Sequence, residues 1–406
     1  MTGHTPKLKY PVLRTDPTRP PEEYARLTRE EPVCPISLAT GDPAWLVTGH
    51  DVAKTVLSDR RFSREAVFAE GAPRYQAALP NPDSIQNMDP PRHTRVRKLA
   101  SQAFSARRVE KLRPRIAQIV DELMDDMLAQ GPPLDLNTCF GRPLPLRIIC
   151  ALLGVPYEDH GNIVEWTERI MSLNRYTAAE ITEAFVGMRA YFRQLVAGKR
   201  ANPSDDLLGV LTSLSEEQGT LTEPEVVHLG TAILVAGHDT SVTVIASSAL
   251  TLMSNQEQLA KLQKNRSLWP AAVEELVRLD NPGIVINPRI ATCDVALGDV
   301  VIPKGSAVLA HVGAGCRDER LFDGPDTFDV ERTSNTQLSF GHGPHFCIGA
   351  GLARAELEIG LQRLFDRIPT LALAVPEHTL RWKDFAALGG YEEFPVTWKP
   401  SDMEDQ

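Results

Sequence analysis

The sequence is poor in cysteine, in aromatic residues and in long apolar runs. Its 406 residues contain six cysteines, with no CxxC pair, and only 6% aromatic side chains. Cysteines scattered in this way do not indicate a disulfide framework, which favours a reducing compartment. We find no apolar run near the roughly 20 residues of a membrane span, and the first residues are polar and rich in proline. We therefore expect a cytoplasmic protein with no membrane partner.

The chain also lacks a surplus of basic residues. Its formal net charge is −10, and an acidic chain is poorly suited to bind nucleic-acid phosphates. The share of apolar residues, 42%, is that of an ordinary globular protein. Because there is no internal repeat, low-complexity tract or linker, we expect a single domain over residues 1–406.

Helical periodicity dominates the first two thirds of the chain. Across residues 106–131, apolar side chains recur at every third or fourth position. Thr222 is a suitable N-cap for a stretch that stays apolar or small until Asn255, and such a helix is expected to cross the middle of the protein. Short strand patterns surround turns at Gly298-Asp299 and Lys304-Gly305. The predicted fold class is mainly α with a smaller β part.

Residues 339–351, SFGHGPHFCIGAG, form the most unusual segment. Four glycines surround two histidines, two phenylalanines and one cysteine, Cys347. A phosphate-binding loop would have a different glycine spacing and a lysine. Zinc could bind His342, His345 and Cys347, but structural zinc takes four ligands, usually in two close pairs. A haem iron needs only one axial protein ligand, and a thiolate serves.

Other features of the segment favour haem over zinc and phosphate. Phe340 and Phe346 would shield a thiolate from solvent, and the glycines would allow a flat macrocycle to approach closely. The leucine spacing that follows predicts a helix, whose N-terminus would stabilise a negative sulfur.

Phe340, Gly341, His345, Cys347 and Gly349 together closely resemble the haem-binding signature of the cytochrome P-450 family. Further family motifs stand at the expected places, so the resemblance extends from about residue 20 to residue 398. It implies the cytochrome P-450 fold, with a long central helix across a buried haem b (iron protoporphyrin IX). It also implies that Cys347 is the axial thiolate and that the other four residues contact the cofactor.

Asp239 and Thr240 lie midway along the long apolar helix. An acid beside a hydroxyl in such a helix is costly unless it is paired or used. The residues alone leave open that Thr240 bonds back to the carbonyl one turn earlier. The family resemblance implies catalysis instead, with Ala236 and Gly237 beside the haem where dioxygen binds, and Asp239 and Thr240 relaying protons.

His93 and Arg97 stand four residues apart on one predicted helical face. By the resemblance they bind the haem propionates, together with Arg289 and His345. A second basic face would be free to dock an acidic electron donor, although a solvated basic run is the alternative. Its residues are Arg92, Arg95 and Lys98.

Glu275 and Arg278 form an ExxR pair, a pattern that is common on solvated helix surfaces. By the resemblance, they form a buried network with Arg332 that supports the cysteine loop. The chain departs from the family pattern at Cys316, where asparagine is usual. We interpret Cys316 as a structural substitution and not as a second ligand.

The resemblance implies an oxidoreductase, a cytochrome P-450 monooxygenase or oxidase that uses dioxygen and two electrons. A separate ferredoxin with its reductase is expected, because the chain has no flavin or dinucleotide fingerprint. Residues 40–74 resemble members that tailor natural products, in particular those that oxidise cyclic dipeptides or couple aromatic polyketides. The expected reaction is hydroxylation or oxidative carbon–carbon coupling of a medium-sized small-molecule substrate.

The predicted substrate pocket is mostly apolar. Its candidates are Met88, Trp166, Val235, Val285, Ile286 and Leu388. The alternative function is a haem-binding sensor or scavenger without turnover. The Asp239-Thr240 pair favours the enzyme, because a sensor has no need for proton delivery.

Overall fold

The computed structural model describes residues 6, 8–76, 81–173, 175–218, 221–281, 288–383 and 388–399. The α-helices in these residues are α1 (Glu22–Glu30), α2 (His50–Ser58), α3 (Arg92–Ala103), α4 (Ala106–Gln130), α5 (Pro143–Leu153), α6 (His160–Ile170), α7 (Ala178–Ala201), α8 (Leu207–Gln218), α9 (Glu223–Ser254), α10 (Gln256–Lys264), α11 (Trp269–Leu279), α12 (Val312–Gly315) and α13 (Ala350–Arg367). The strands are β1 (Leu8–Lys9), β2 (Val33–Ser37), β3 (Pro43–Val47), β4 (Phe62–Ser63), β5 (Leu134–Asp135), β6 (Arg289–Ala291), β7 (Val295–Leu297), β8 (Val300–Ile302), β9 (Ala307–Ala310), β10 (Ala372–Leu373) and β11 (Pro395–Thr397).

The largest sheet joins strands of the first 63 residues to strands between residues 289 and 310, in the order β1-β2-β3-β9-β6-β4. Strands β3 and β9 are parallel, with Trp45 opposite Val308. Side chains alternate across the sheet, so that Trp45 and Val47 enter one small core and Leu46 enters another. Both faces are therefore buried, which explains the continuous apolar run in β3.

Helix α9 is the central element of the helical part. Its N-terminus is a capping box, in which the Thr222 side chain accepts from the Glu225 N–H and the Glu225 carboxylate accepts from the Thr222 N–H. Helices α5, α7 and α8 pack around it. It is the one helix in the described ranges that is long and apolar enough to cross a membrane, but 67% of its apolar stretch is buried inside the fold. The prediction of a central core helix in a mainly α fold is confirmed.

Helix α13, which follows the cysteine loop, is held against α4 and α11. Ion pairs between α4 and α13 join Arg113 to Glu358 at 2.9 Å and Arg367 to Asp125 at 2.6 Å. The predicted end of α4 is also observed, since Gly131 has a φ of 74° directly after the helix. These contacts fix the helix whose N-terminus carries the loop.

Candidate active site

The cysteine loop is closed by hydrogen bonds within its own backbone. The N–H of Cys347 donates to the carbonyl of Phe340 at 2.7 Å, and the N–H of Gly341 donates to the carbonyl of Leu338 at 2.7 Å. The N–H of Gly349, just before α13, donates to the Cys347 sulfur. The sulfur therefore receives a backbone donor from the start of a helix, which favours a thiolate.

Two glycines of the loop cannot be replaced without strain. Gly341 and Gly343 have φ values of 75° and 71°, in the left-handed region. A Cβ atom on Gly343 would also lie 2.9 Å from the carbonyl oxygen of Leu57 at the end of α2. The glycines thus allow the loop to fold tightly against α2.

Cys347 is exposed to solvent, although protein atoms crowd its sulfur. This crowding raises the pKa of the thiol, and the Gly349 N–H, Arg97 and Arg354 act in the opposite direction.

Helix α9 opens to solvent on one face in its middle. Ala236 is exposed and Val235, Asp239 and Thr240 are partly exposed, although most of the helix is buried. These positions lie at helical spacing and share one face. The buried His238 lies outside that face. Helix α9 therefore carries both relay candidates on its partly exposed face.

Gly237, which we expected to lie beside the haem, packs closely against α5. A Cβ atom there would lie 3.0 Å from Cδ1 of Ile149 on α5. The glycine therefore permits close packing of α9 on α5, and the observed opening in α9 lies at its neighbour Ala236.

The two relay candidates differ in their hydrogen bonds. The Thr240 hydroxyl donates to the Ala236 carbonyl at 2.7 Å, the back-bonded arrangement that the sequence left open, and its oxygen can still accept. Burial would raise the pKa of Asp239, but His238, Lys383 and Arg142 outweigh it and lower the pKa. Oδ1 of Asp239 lies 3.1 Å from Nδ1 of His238. Asp239 is therefore an anion at neutral pH.

Sequence reasoning missed Glu356, a buried acid on α13. The Ser241 hydroxyl of α9 donates to it, but burial dominates and raises the pKa of Glu356 to about 8. Its Oε1 atom has no hydrogen-bond partner among the residues that the structure describes. A neutral carboxylic acid thus lies next to the relay helix. An acid on the leucine-rich face of a predicted helix was the available signal.

Basic side chains from distant parts of the chain crowd together next to the cysteine loop. The rings of His93 and His345 are tilted by 37° to each other, with centroids 4.1 Å apart, and both His93 and Arg289 are buried. Burial lowers the pKa of His93 to about 4, of His345 to about 2 and of Arg289 to about 10. Arg64, which sequence reasoning missed, joins them, and burial also lowers its pKa.

This basic cluster fits the two propionates of a haem. Within the described chain, Nε2 of His93 and Nη2 of Arg289 are buried without a hydrogen-bond partner. The main acid near the cluster, Asp89, already accepts from Ser63 and from the backbone of Arg64. Buried donors without partners are costly, and a ligand with two carboxylates would satisfy them. Arg97 also reaches the loop, donating to the Phe346 carbonyl.

Glu275 is the centre of a buried ion network behind the loop. Its carboxylate accepts two bonds from Arg278, at 2.7 and 2.8 Å, and one from Arg332 at 2.8 Å. Glu275 and Arg278 are both fully buried. The pair is not part of a solvated helix surface.

Cys316 lies inside the same support. Its sulfur accepts from the Leu338 N–H at 3.1 Å, and its carbonyl accepts from Arg278 at 2.9 Å. Across the described part of the chain, no three His, Cys, Asp or Glu side chains converge on one point. Within that part, His342, His345 and Cys347 are not brought together as a set of ligands.

Two of the three residues of the second basic face are engaged within the protein. Arg92 pairs with Asp83 at 2.6 Å, and Arg95 pairs with Glu225 at the start of α9. The expectation that this face is free for docking is therefore wrong for both arginines. Lys98 is exposed and makes no ion pair within the described ranges.

The pocket candidates fall into three groups. Met88 and Leu388 are buried and Val235 is half-buried. Trp166 belongs to α6 and packs against α7, where its ring lies 6.0 Å from that of Tyr191. A Cβ atom on Gly187 would lie 3.0 Å from the Trp166 indole nitrogen. Val285 and Ile286 lie outside the described residues.

Comparison with known proteins identifies the family of this chain. A family model described as Cytochrome P450 matches residues 198–369. The chain is 41% identical over 376 residues to mycinamicin IV hydroxylase/epoxidase of Micromonospora griseorubida, covering 92% of this chain and 94% of that one. It is 40% identical over 379 residues to nocardicin C N-oxygenase of Nocardia uniformis subsp. tsuyamanensis, with coverages of 92% and 94%.

Comparison of the fold with solved structures also identifies a cytochrome P450. The cytochrome P450 hydroxylase LnmA, from the leinamycin biosynthetic pathway of Streptomyces atroolivaceus, superposes with a TM-score of 0.88 at 39% identity. The match covers 96% of this chain and all of that one. Relatives at this similarity are named oxygenases and hydroxylases, which favours an enzyme over a sensor. The chain belongs to the cytochrome P450 family and is a haem-thiolate monooxygenase.

Proposed function

We propose that this protein oxidises a medium-sized natural-product intermediate, with Cys347 as the axial haem ligand. One observation carries the proposal: an exposed cysteine in a tightly closed loop lies next to a basic cluster in which, among the described residues, Nε2 of His93 and Nη2 of Arg289 are buried without a hydrogen-bond partner. A single haem would bind the cysteine through its iron and these donors through its propionates. When bound, it supplies the oxygen-activating chemistry.

The residues around the proposed haem cleft have separate tasks in this proposal. His93, Arg97, Arg289 and His345 hold the propionates, and Arg64 joins them. Phe340, Gly341 and Gly349 shape the loop so that Cys347 is shielded and receives a backbone donor. Glu275, Arg278 and Arg332 keep the loop in place from behind.

Asp239 and Thr240 carry protons to the cleft. Asp239 is ionised and partly exposed, so that it can exchange protons with solvent and with the cleft. The Thr240 oxygen keeps acceptor capacity on the exposed face of α9. General acid catalysis of this kind typically contributes about 10²–10⁴-fold.

The electron donor in this proposal is a separate acidic ferredoxin, reduced by its own reductase, in the cytoplasm. Phe346 is 41% exposed on the outer side of the loop. Exposed cations without an ion pair in the described ranges lie on α2 or directly after it, on α3 and at the start of α4, which are elements that contact the loop. They are Lys54, Arg60, Lys98, Arg107 and Lys111. A positive surface on an acidic protein selects and orients an acidic partner.

The substrate class rests on two kinds of support. The relatives named above act on, or belong to the pathways of, mycinamicin, nocardicin and leinamycin, which favours hydroxylation of a natural product. The similarity of residues 40–74 favours cyclic dipeptides or aromatic polyketides, and with them oxidative carbon–carbon coupling. A buried, apolar pocket wall at Met88 and Leu388 suits all of these.

Cys347→Ala is expected to abolish the thiolate-type spectrum of the reduced carbon monoxide complex and to lower the haem content. The matched control is Cys316→Ala, which removes a buried thiol just behind the same loop and should keep the thiolate-type spectrum. A Cys347→Ala protein that retains this spectrum would show that the ligand assignment is wrong.

Thr240→Ala is expected to reduce the product formed per electron pair by about tenfold, with the lost electrons recovered as hydrogen peroxide. The reason is the loss of the hydroxyl that passes protons into the cleft. Thr240→Ser keeps a hydroxyl and should restore the coupling. If the alanine variant couples as well as the wild type, Thr240 is no part of the relay.

Lys98→Glu is expected to weaken the complex with an acidic [2Fe–2S] ferredoxin by about tenfold at low salt and to flatten its salt dependence. The measurement is the rate of haem reduction against ferredoxin concentration. Arg193→Glu makes the same charge change on α7, away from the loop, and should leave the rate unchanged. Equal effects of the two variants would exclude docking at this face.

Titration of the ferric protein with cyclic dipeptides that contain tryptophan or tyrosine is expected to shift the Soret band saturably to shorter wavelength. The shift reports a ligand that fills the cleft next to the haem. Macrolactones and aromatic polyketides form the comparison panel. A shift with these compounds alone would contradict the cyclic-dipeptide proposal and leave the monooxygenase in place.

A further inference from the structure

Arg354 of α13 connects the cysteine loop to a second glutamate of α11. Its guanidinium bonds the carboxylate of Glu274 through two nitrogens, with Nη2 to Oε2 at 3.0 Å. The guanidinium carbon lies 4.4 Å above the centre of the Phe340 ring. The arginine is therefore fixed on one side by a two-point ion pair and on the other by an aromatic face.

This arrangement is coupled directly to the sulfur ligand. The carbonyl of Phe340 accepts the Cys347 N–H at 2.7 Å, so that the ring under Arg354 belongs to the residue that closes the loop. Glu274 also accepts from Gln337 at 3.3 Å, and Gln337 in turn accepts from the Ser339 N–H. Glu274 thus holds both the cation and the first residues of the loop.

A purely stabilising role does not account for this geometry. The side chains of Arg354 and Glu274 are 36% and 29% exposed, and ion pairs with such exposure contribute little to stability. The same helix carries a comparable pair, Arg363 with Asp121, at 37% and 47% exposure. No aromatic ring contact joins that pair to the cysteine loop.

We propose that Arg354 is a positioning residue that tunes the charge at the Cys347 thiolate, and that Glu274 sets how much of the arginine's charge the sulfur experiences. The inference rests on the proposed role of Cys347 as the axial ligand. A cation near the sulfur stabilises the added electron when the iron is reduced, because reduction makes the centre more negative. The carboxylate of Glu274 opposes that effect. The two residues therefore act with opposite sign.

The test uses the haem-loaded variants Arg354→Gln and Glu274→Gln, and it measures the ferrous-to-ferric ratio in a spectroelectrochemical titration. Arg354→Gln should lower the ratio at a fixed applied potential by about threefold, or about 30 mV for a one-electron couple. Glu274→Gln should raise it by a similar factor. Arg354→Lys keeps the charge and should restore most of the wild-type ratio.

Arg363→Gln is the matched control and should leave the ratio unchanged. Shifts of the same sign in Arg354→Gln and Glu274→Gln would overturn the proposal, because loosening of the loop acts in one direction. Unchanged ratios in both, or a lysine variant that matches the glutamine variant, would overturn it as well. Each variant must keep the thiolate-type carbon monoxide spectrum, whereas failure of the ligand assignment itself would appear in Cys347→Ala.

Discussion

The site depends on one buried carboxylate, that of Glu275, held between two guanidiniums. Removing a charge from water is costly, and the cost is offset here because Arg278 and Arg332 together supply three bonds. Arg278 has donors left over, and these bind the carbonyls of Cys316 and Pro325. The network therefore fixes the chain that leads to the cysteine loop. Removing one partner of a buried ion pair of this kind typically lowers the free energy of unfolding by about 3–5 kcal/mol. We therefore expect the bonds of Glu275, Arg278 and Arg332 to form or break together.

Successive residues of α11 support the loop in two different ways. Glu275 points into the protein and is fully buried, whereas Glu274 is partly exposed and meets Arg354 on α13. The side chains of successive residues on a helix point about 100° apart, so that two adjacent glutamates can contact two different parts of the protein. The buried glutamate fixes the backbone behind the loop, and the exposed one places a cation over Phe340. Glu275 thus supports the backbone of the loop, whereas the adjacent Glu274 positions a charged side chain beside it.

Local patterns in the sequence were sufficient for features whose partners are near in the chain. The Thr222 capping box and the end of α4 at Gly131 are examples. Features that depend on distant partners were missed or misread, because periodicity carries no information about tertiary distance. From the sequence we expected Arg95 to be part of a free basic face. In the fold, α9 places Glu225 against it and the two residues form an ion pair. The close approach of Gly237 to Ile149 of α5 also depends on a distant partner.

Burial assigns different protonation states to groups that line or adjoin the cleft. Cations and a histidine outweigh the burial of Asp239, which is ionised, while Glu356 has only a serine hydroxyl and is neutral. In the proposed propionate site, crowding leaves His93 and His345 uncharged, so that the arginines alone would supply positive charge to the propionates. Because the imidazoles add no charge of their own, they can donate hydrogen bonds there without increasing the repulsion among the arginines. The same crowding that raises the pKa of the Cys347 thiol therefore also sets which of its neighbours carry charge.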